Sequence, residues 1–272
     1  MVKMRRYASA DFAGRRQRKL HGFATLPALF VRVAVMSNAV PNAMSAVRTV
    51  LGPDGVFAQQ IPGYQPREPQ IAMAEAVEQA LSERTLLLVE AGTGTGKTYA
   101  YLIPALLSGK KAIVSTGTRN LQDQLFHRDL PLVRKLLGKP VRTALLKGRS
   151  NYLCPYRLQQ HLDEGEFESK QIVHDLHRVA AWAGKTEQGD IAELIDIAED
   201  SMVWPLVTST ADNCLGQECP KVEDCPLMKA REKASDADLI VVNHHLFFAD
   251  KALKDRGFGE LLPAVDAVIF DE

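Results

Sequence analysis

The 272-residue sequence lacks long hydrophobic runs, and no stretch approaches the 18 consecutive apolar residues that a membrane-spanning helix needs. Its mildly apolar segment, residues 23–40, is interrupted by Pro27, Arg32 and Asn38 and fits a secretory signal poorly. Internal repeats and low-complexity tracts are also missing. These absences argue against a membrane protein and a repeat protein, and we expect a cytoplasmic location.

Acidic residues are nearly absent from residues 1–50, which contain one, Asp11, and nine lysines and arginines. The whole chain nevertheless has a net charge of zero. A basic, acid-poor segment is typical of an organellar transit peptide, a DNA-binding arm or a disordered extension. A start codon assigned too early, with Met36 or Met44 as the true start, is a fourth alternative. We predict that residues 1–55 are a disordered extension or a misassigned start, without assigning them a function.

Cysteine is scarce, and its four occurrences all lie between residues 147 and 233, at Cys154, Cys214, Cys219 and Cys225. The intervening lengths of 59, 4 and 5 residues include no Cys-x-x-Cys pair, which zinc sites prefer. A cubane iron–sulfur cluster accepts one remote and three nearby cysteines, and three of these cysteines precede a proline, as in ferredoxins. The spacing favours an iron–sulfur cluster and leaves zinc or unliganded thiols as alternatives.

A glycine-rich run at residues 90–98 separates a strand-like apolar segment from a helix-like one. Glycines allow the backbone to turn its N–H groups toward phosphate oxygens at the positive end of the following helix. Lysine at this position reaches the β- and γ-phosphates, and the next hydroxyl binds Mg²⁺. The pattern predicts a nucleotide triphosphate site, a P-loop, formed by Ala91, Gly92, Thr93, Gly94, Thr95, Gly96, Lys97 and Thr98.

From residue 57 onward, buried strand patterns alternate with helical ones, which predicts a parallel α/β sheet covered on both faces. The candidate strands are residues 86–89, 112–115, 142–146, 239–242 and 265–270. The candidate helices are residues 69–82, 97–107, 119–126 and 130–137. Between residues 147 and 233, amphipathic helices at 169–182 and 190–198 and a turn-rich segment at 209–225 replace the apolar runs. This change predicts an inserted, mainly helical domain.

The last predicted strand runs into Asp271 and Glu272. After an apolar strand and in combination with a P-loop, such an Asp holds Mg²⁺ and such a Glu polarises the attacking water. We therefore predict catalytic roles for Lys97, Asp271 and Glu272, with Mg²⁺ bound by Thr98 and Asp271. Because the sequence stops directly after this pair, we expect it to be a fragment of a longer protein.

Together these motifs resemble the N-terminal part of superfamily 2 DNA helicases of the XPD/DinG type, over residues 58–272. Gln70 matches the Q motif that reads adenine, residues 91–98 match motif I, and Asp271-Glu272 begin the DEAH box. Residues 115–125 match motif Ia, which implies DNA contacts by Thr116, Thr118 and Gln124. Residues 147–154 match the entry to the family's iron–sulfur domain, and residues 237–245 match the return to the motor domain.

The resemblance implies a RecA-like motor domain in two parts, residues 56–147 and 234–272, with an iron–sulfur domain at 148–233. It implies ATP-driven 5′-to-3′ movement on single-stranded or forked DNA, a [4Fe–4S] cluster bound by the four cysteines, and a role in DNA repair. The family's arginine finger lies in a second motor domain that these residues do not include, so we expect little ATP hydrolysis from this chain alone. The sequence indicates no particular protein partner.

Two alternatives stay open at this point. The chain could instead be a non-catalytic nucleic-acid-binding or redox-sensing module with a vestigial nucleotide site, although the intact motif residues favour the helicase. Basic and aromatic residues surround the first cysteine, at Lys147, Arg149, Tyr152 and Tyr156. Either they hold a DNA strand by charge and stacking, or the two tyrosines pack as a pair around the cluster.

Overall fold

The computed structural model describes residues 3–7, 45–165, 167, 169–257 and 260–271. It divides into two compact units. The first takes in the described residues up to Ile113, together with Asn120–Val141 and Val265–Ile269. The second comprises Val114–Arg119, the described part of Arg142–Ala264, and the last described residues from Phe270. The predicted P-loop belongs to the first unit, and the four cysteines belong to the second.

The N-terminal half of the chain contains most of the first unit. Its elements are β1 (Lys3–Tyr7), α1 (Ala46–Leu51), α2 (Val56–Gln60), α3 (Glu68–Glu83), β2 (Leu86–Glu90), α4 (Lys97–Leu107), β3 (Ala112–Thr116), α5 (Arg119–Gln124) and α6 (Leu130–Leu137). A π-helical turn, Leu125–Asp129, joins α5 to α6 without a break, where the sequence predicted two separate helices.

The remaining elements lie in the part of the chain where the sequence predicted an insertion and a return to the sheet. They are β4 (Thr143–Leu145), α7 (Pro155–Glu164), α8 (Lys170–Ala183), α9 (Val203–Val207), α10 (Pro226–Asp236), β5 (Leu239–Asn243), α11 (His244–Asp255) and β6 (Ala267–Asp271). Short 3₁₀ turns lie at Arg149–Asn151, Ile191–Glu193 and Gly216–Glu218. No described helix is long and apolar enough to cross a membrane.

Four strands form one parallel sheet in the order β4-β5-β3-β6. In the pairing of β4 with β5, Thr143 lies opposite Leu239. Every residue of β3 is buried, as are the first four of β5, which explains their continuous apolar sequences. The α/β class with a parallel sheet is therefore confirmed.

Strand β2 differs from the expectation of a single sheet. Within the described residues it pairs with β1 in an antiparallel two-stranded sheet, with Leu88 opposite Arg5. Leu86 is 43% exposed. The apolar pattern predicted the strand itself but not its partner, because an apolar run specifies a buried extended segment and not its neighbour in the sheet.

The first unit is ordered from before the predicted boundary at residue 56. Val47 and Leu51 of α1 are fully buried, and Phe57 of α2 is as well. Arg48 pairs with Glu68 and Glu75 of α3 at 2.8 Å each. The described segment that begins at residue 45 is thus part of the folded unit, and most of the predicted extension lies outside the described residues.

The second unit has its own apolar core. Its fully buried members include Val179 of α8 and Val203 and Val207 of α9, and Trp204 packs among them with its indole N–H donated to Ala198 O at 2.8 Å. The predicted helix at residues 190–198 is wrong, since this stretch contains only the turn Ile191–Glu193. Its apolar residues recur every three positions, a period that fits tight 3₁₀-type turns as well as a helix.

Candidate functional site

The glycine-rich run has the geometry of a phosphate-binding loop. It begins after β2 ends at Glu90, and α4 begins at Lys97 with Gly96 as its N-cap. Gly94 and Gly96 have φ of +76° and +80°, which side chains with a Cβ rarely adopt. Lys97 Nζ donates to Ala91 O at 3.2 Å across the loop. A lysine above the N-terminus of an 11-residue helix makes an anion site.

The start of α3 holds this loop through two side chains. Gln70 Nε2 donates to Gly96 O at 3.0 Å, and Arg67 Nη1 donates to Gly94 O. Gln70 is only 4% exposed, and a Cβ at Gly96 would lie 2.1 Å from its Nε2. The structure therefore brings Gln70 to the P-loop. Sequence reasoning missed Arg67, although its position three residues before Gln70 at a helix start is a usable signal.

Tyr64 and its aromatic neighbours fix the orientation of the Gln70 side chain. The Tyr64 hydroxyl lies 3.4 Å from Gln70 Oε1 and 3.0 Å from Leu51 O. Phe57 packs edge-on against both Tyr64 and Tyr99, with ring centroids 5.6 and 5.5 Å apart. Burial raises the pKa of Tyr64. The Gln70 amide is thus held in one orientation beside the loop.

The predicted Mg²⁺ ligands occur in different units. Thr98 lies in the first turn of α4, in the first unit, and is half-buried. Asp271 ends β6, in the second unit, and is 8% exposed. Glu272 lies outside the described residues.

The three predicted DNA contacts have different surroundings. Thr116 is fully buried, and its Oγ1 lies 3.3 Å from Thr118 O and 3.4 Å from Val242 O. Thr118 and Gln124 are exposed, and Gln124 Nε2 lies 3.4 Å from Asp129 Oδ2. Only Thr118 and Gln124 offer side chains at the surface, so the Thr116 side chain has a structural role in the described conformation.

All four cysteines are free thiols, and all four line one cavity of about 180 Å³ in the second unit. Cys154 is the N-cap of α7 and Cys225 is the N-cap of α10, so Pro155 and Pro226 occupy the first helical position. Proline suits that position because its missing N–H would have no partner there. Two of the three Cys-Pro pairs, Cys154-Pro155 and Cys225-Pro226, therefore start helices.

Hydrogen bonds and charge surround these thiols. Cys214 Sγ accepts the Gly216 N–H at 3.4 Å. Burial raises the pKa of the Cys154 thiol, although the backbone N–H groups of Tyr156 and Arg157 lower it. Arg231 also lines the cavity, and burial lowers the pKa of its guanidinium.

The cavity brings the thiols together without converging them on one point. Within the described part of the chain, no three His, Cys, Asp or Glu side chains are close enough to hold a single metal ion. A cluster presents several iron atoms, each taking its own cysteine.

Two residues near the first cysteine are buried. Lys147 is 5% exposed, and its Nζ lies 2.7 Å from Asp190 Oδ2. Tyr152 is also 5% exposed; its hydroxyl accepts the Lys147 N–H at 3.1 Å, and burial raises its pKa to about 12. For these two residues the structure favours packing over DNA stacking.

Comparison with known proteins agrees with these motifs. Residues 72–190 match the model of the DEAD/DEAH box helicase family. The chain is 57% identical over 220 residues to the ATP-dependent DNA helicase YoaA of Escherichia coli, and 51% identical over 226 residues to that of Haemophilus influenzae. These matches cover 81% and 83% of the chain. A third relative, the 3′-5′ exonuclease DinG of Bacillus subtilis, is 33% identical over 81% of the chain.

The chain spans about a third of the length of the YoaA relatives, 35% in each case, and 24% of the DinG relative. The chain therefore combines the P-loop and the parallel sheet with a sequence identity above one half to the Escherichia coli protein. The chain thus contains a DEAD/DEAH box helicase domain and is similar, over about four fifths of its length, to YoaA and less closely to DinG.

Proposed function

We propose that this chain is the ATP-binding part of an ATP-dependent DNA helicase. The P-loop geometry carries the proposal, because Lys97 already reaches across a loop whose two positive-φ glycines stand at the start of α4. Relatives named as ATP-dependent DNA helicases support the reaction class. ATP turnover and DNA unwinding are proposed for the whole protein of which these residues are a part.

Within this proposal, Lys97 stabilises the charge on the transferred phosphoryl group and Thr98 and Asp271 hold Mg²⁺. Glu272 polarises the attacking water, and Gln70 recognises adenine through its donor and acceptor groups. The role of Gln70 is the one that the family resemblance implies, and its hydrogen bond to Gly96 O links it to the phosphate loop.

We also propose that Cys154, Cys214, Cys219 and Cys225 hold a [4Fe–4S] cluster. The support is that four free thiols from separate segments line one cavity. The Gly216 N–H donated to Cys214 Sγ is a further feature of such sites, where hydrogen bonds to sulfur tune the potential. When bound, the cluster would supply a rigid link between the cysteine segments.

Single-stranded or forked DNA is the proposed substrate, with 5′-to-3′ movement as in the resembling family. The exposed side chains of Thr118 and Gln124 are the proposed DNA contacts from motif Ia. The expectation that these 272 residues alone hydrolyse little ATP stays a prediction.

Unwinding by the whole protein tests the function directly. Forked duplexes with only a 5′ or only a 3′ single-stranded tail are offered with ATP and Mg²⁺. We expect unwinding of the 5′-tailed fork, and none when Lys97→Ala replaces the wild type. ATP-independent DNA binding without unwinding would instead support the non-catalytic module.

Iron and sulfide analysis of the anaerobically purified chain tests the cluster. We expect about four iron and four sulfide per chain, with a visible absorption band that Cys219→Ser removes. Zinc without iron in an anaerobic preparation would overturn the cluster and leave the nucleotide site standing.

A further inference from the structure

A turn without any cysteine lies between two of the cysteine segments. Its residues are 186–190, and Gly189 is the fourth of them. Leu153 N, next to Cys154, donates to Gly189 O at 2.8 Å. On its other side Gly189 lies against Pro226, next to Cys225, so closely that a Cβ would come within 2.4 Å of Pro226 Cγ. One glycine thus contacts the neighbours of both N-capping cysteines.

Asp190 holds the turn to the segment before Cys154. It forms an antiparallel bridge with Tyr152, and its Oδ2 lies 2.7 Å from Lys147 Nζ. The side chains of this ion pair are only 13% and 6% exposed. A buried pair of this kind does little for net stability but fixes one arrangement strongly, because separating the charges leaves each without a partner.

Thr186 holds the backbone of Gly189 in its conformation. Thr186 Oγ1 accepts the Gly189 N–H at 2.8 Å and donates to Glu193 Oε2 at 2.7 Å. Gly189 has φ of +63°, in the left-handed region. The position therefore requires glycine for two reasons, its left-handed φ and its close contact with Pro226.

We propose that the 186–190 turn sets the separation of the Cys154 and Cys225 segments, with Gly189 as the positioning residue of the cysteine site. The consequence for metal retention rests on the proposed cluster. The separation of the two segments does not depend on the cluster, because the contacts that define it are between protein atoms.

The test compares Gly189→Ala with Gly165→Ala in the full chain. Gly165 belongs to the same unit and has φ of +69°, but a Cβ there would meet nothing within 4 Å. Both variants place a Cβ at a left-handed φ, and only Gly189→Ala forces Pro226 away. We expect Gly189→Ala to lose iron to a chelator roughly 10- to 100-fold more readily, the range for groups that orient metal ligands. Gly165→Ala should retain iron as the wild type does.

A metal-free measurement separates this inference from the cluster. In a Cys214→Ser/Cys219→Ser background, a short bifunctional thiol reagent should link Cys154 to Cys225 more slowly when Gly189→Ala is added. If the wild-type protein contains no iron, the cluster proposal is wrong. The rate of thiol linking still tests the role of the turn in that case. An unchanged linking rate and unchanged iron retention, or equal losses in Gly165→Ala, would overturn the inference.

Thr186→Val provides a milder variant if circular dichroism shows that Gly189→Ala does not fold. It removes the acceptor for the Gly189 N–H and adds no atom against Pro226. We expect iron loss in the same direction and smaller, and wild-type retention would overturn the inference.

Discussion

The P-loop and the cysteine cavity are built in opposite ways. The P-loop occupies eight consecutive residues, and the φ angles of Gly94 and Gly96 give it its shape. The cysteines are separated by as many as 59 residues and come together through the fold of the second unit. One site depends on local backbone conformation and the other on tertiary contacts, so changes in distant side chains should affect them differently.

We expect the largest loss of stability when the buried ion pair in the second unit is broken. Lys147→Met removes the partner of the buried Asp190 carboxylate, and we expect the free energy of unfolding to fall by about 3–5 kcal/mol. Arg142→Met is the control, because its pair with Asp238 is 69% and 42% exposed and should contribute far less to stability. Urea unfolding of both variants gives the comparison. Equal losses would show that the buried pair has no special part in holding this unit.

The second effect should be confined to the nucleotide site. In the whole protein, Lys97→Ala is expected to lower ATP turnover about 10²- to 10³-fold, as for other preorganised charge-stabilising groups. Iron content should not change. Lys135→Ala is the matched control, since it removes the same charge from an exposed position in α6. Loss of iron in Lys97→Ala would contradict the independence of the two sites.

The difference between the two sites also explains what the sequence could predict. Residues 91–98 and α4, which begins at Lys97 as predicted, follow from local preferences of glycine and from the apolar pattern. The four cysteines were predicted as one site from their confinement to one segment. The 186–190 turn was not, because the contact of Gly189 with Pro226 joins residues far apart in sequence and no local pattern reports it. The partner of β2 was missed for the same reason.

Arg67 tests whether the P-loop is as local as its sequence suggests. Its guanidinium donates to Gly94 O, and hydrogen bonds from charged groups contribute about 1.5–3 kcal/mol. We expect Arg67→Met to weaken binding of a fluorescent ADP analogue about tenfold, which corresponds to the lower end of that range. Arg128→Met, at an exposed position of the same unit, should bind as the wild type does. Wild-type affinity in Arg67→Met would mean that the loop keeps its shape without help from the start of α3.

The smallest expected effect distinguishes, within the first unit, the cost of a left-handed φ from the cost of a steric contact. Gly109→Ala places a Cβ at φ of +66° in open space, and the left-handed conformation alone should cost about 1–2 kcal/mol of unfolding free energy. Gly96→Ala carries a similar strain and also meets Gln70 Nε2 at 2.1 Å, so its loss should exceed that of Gly109→Ala by about 1 kcal/mol. Adding Gln70→Ala should recover this excess in Gly96→Ala and nothing in Gly109→Ala. If the excess remains in the double variant, Gln70 is not what limits Gly96, and the P-loop depends on its own backbone alone.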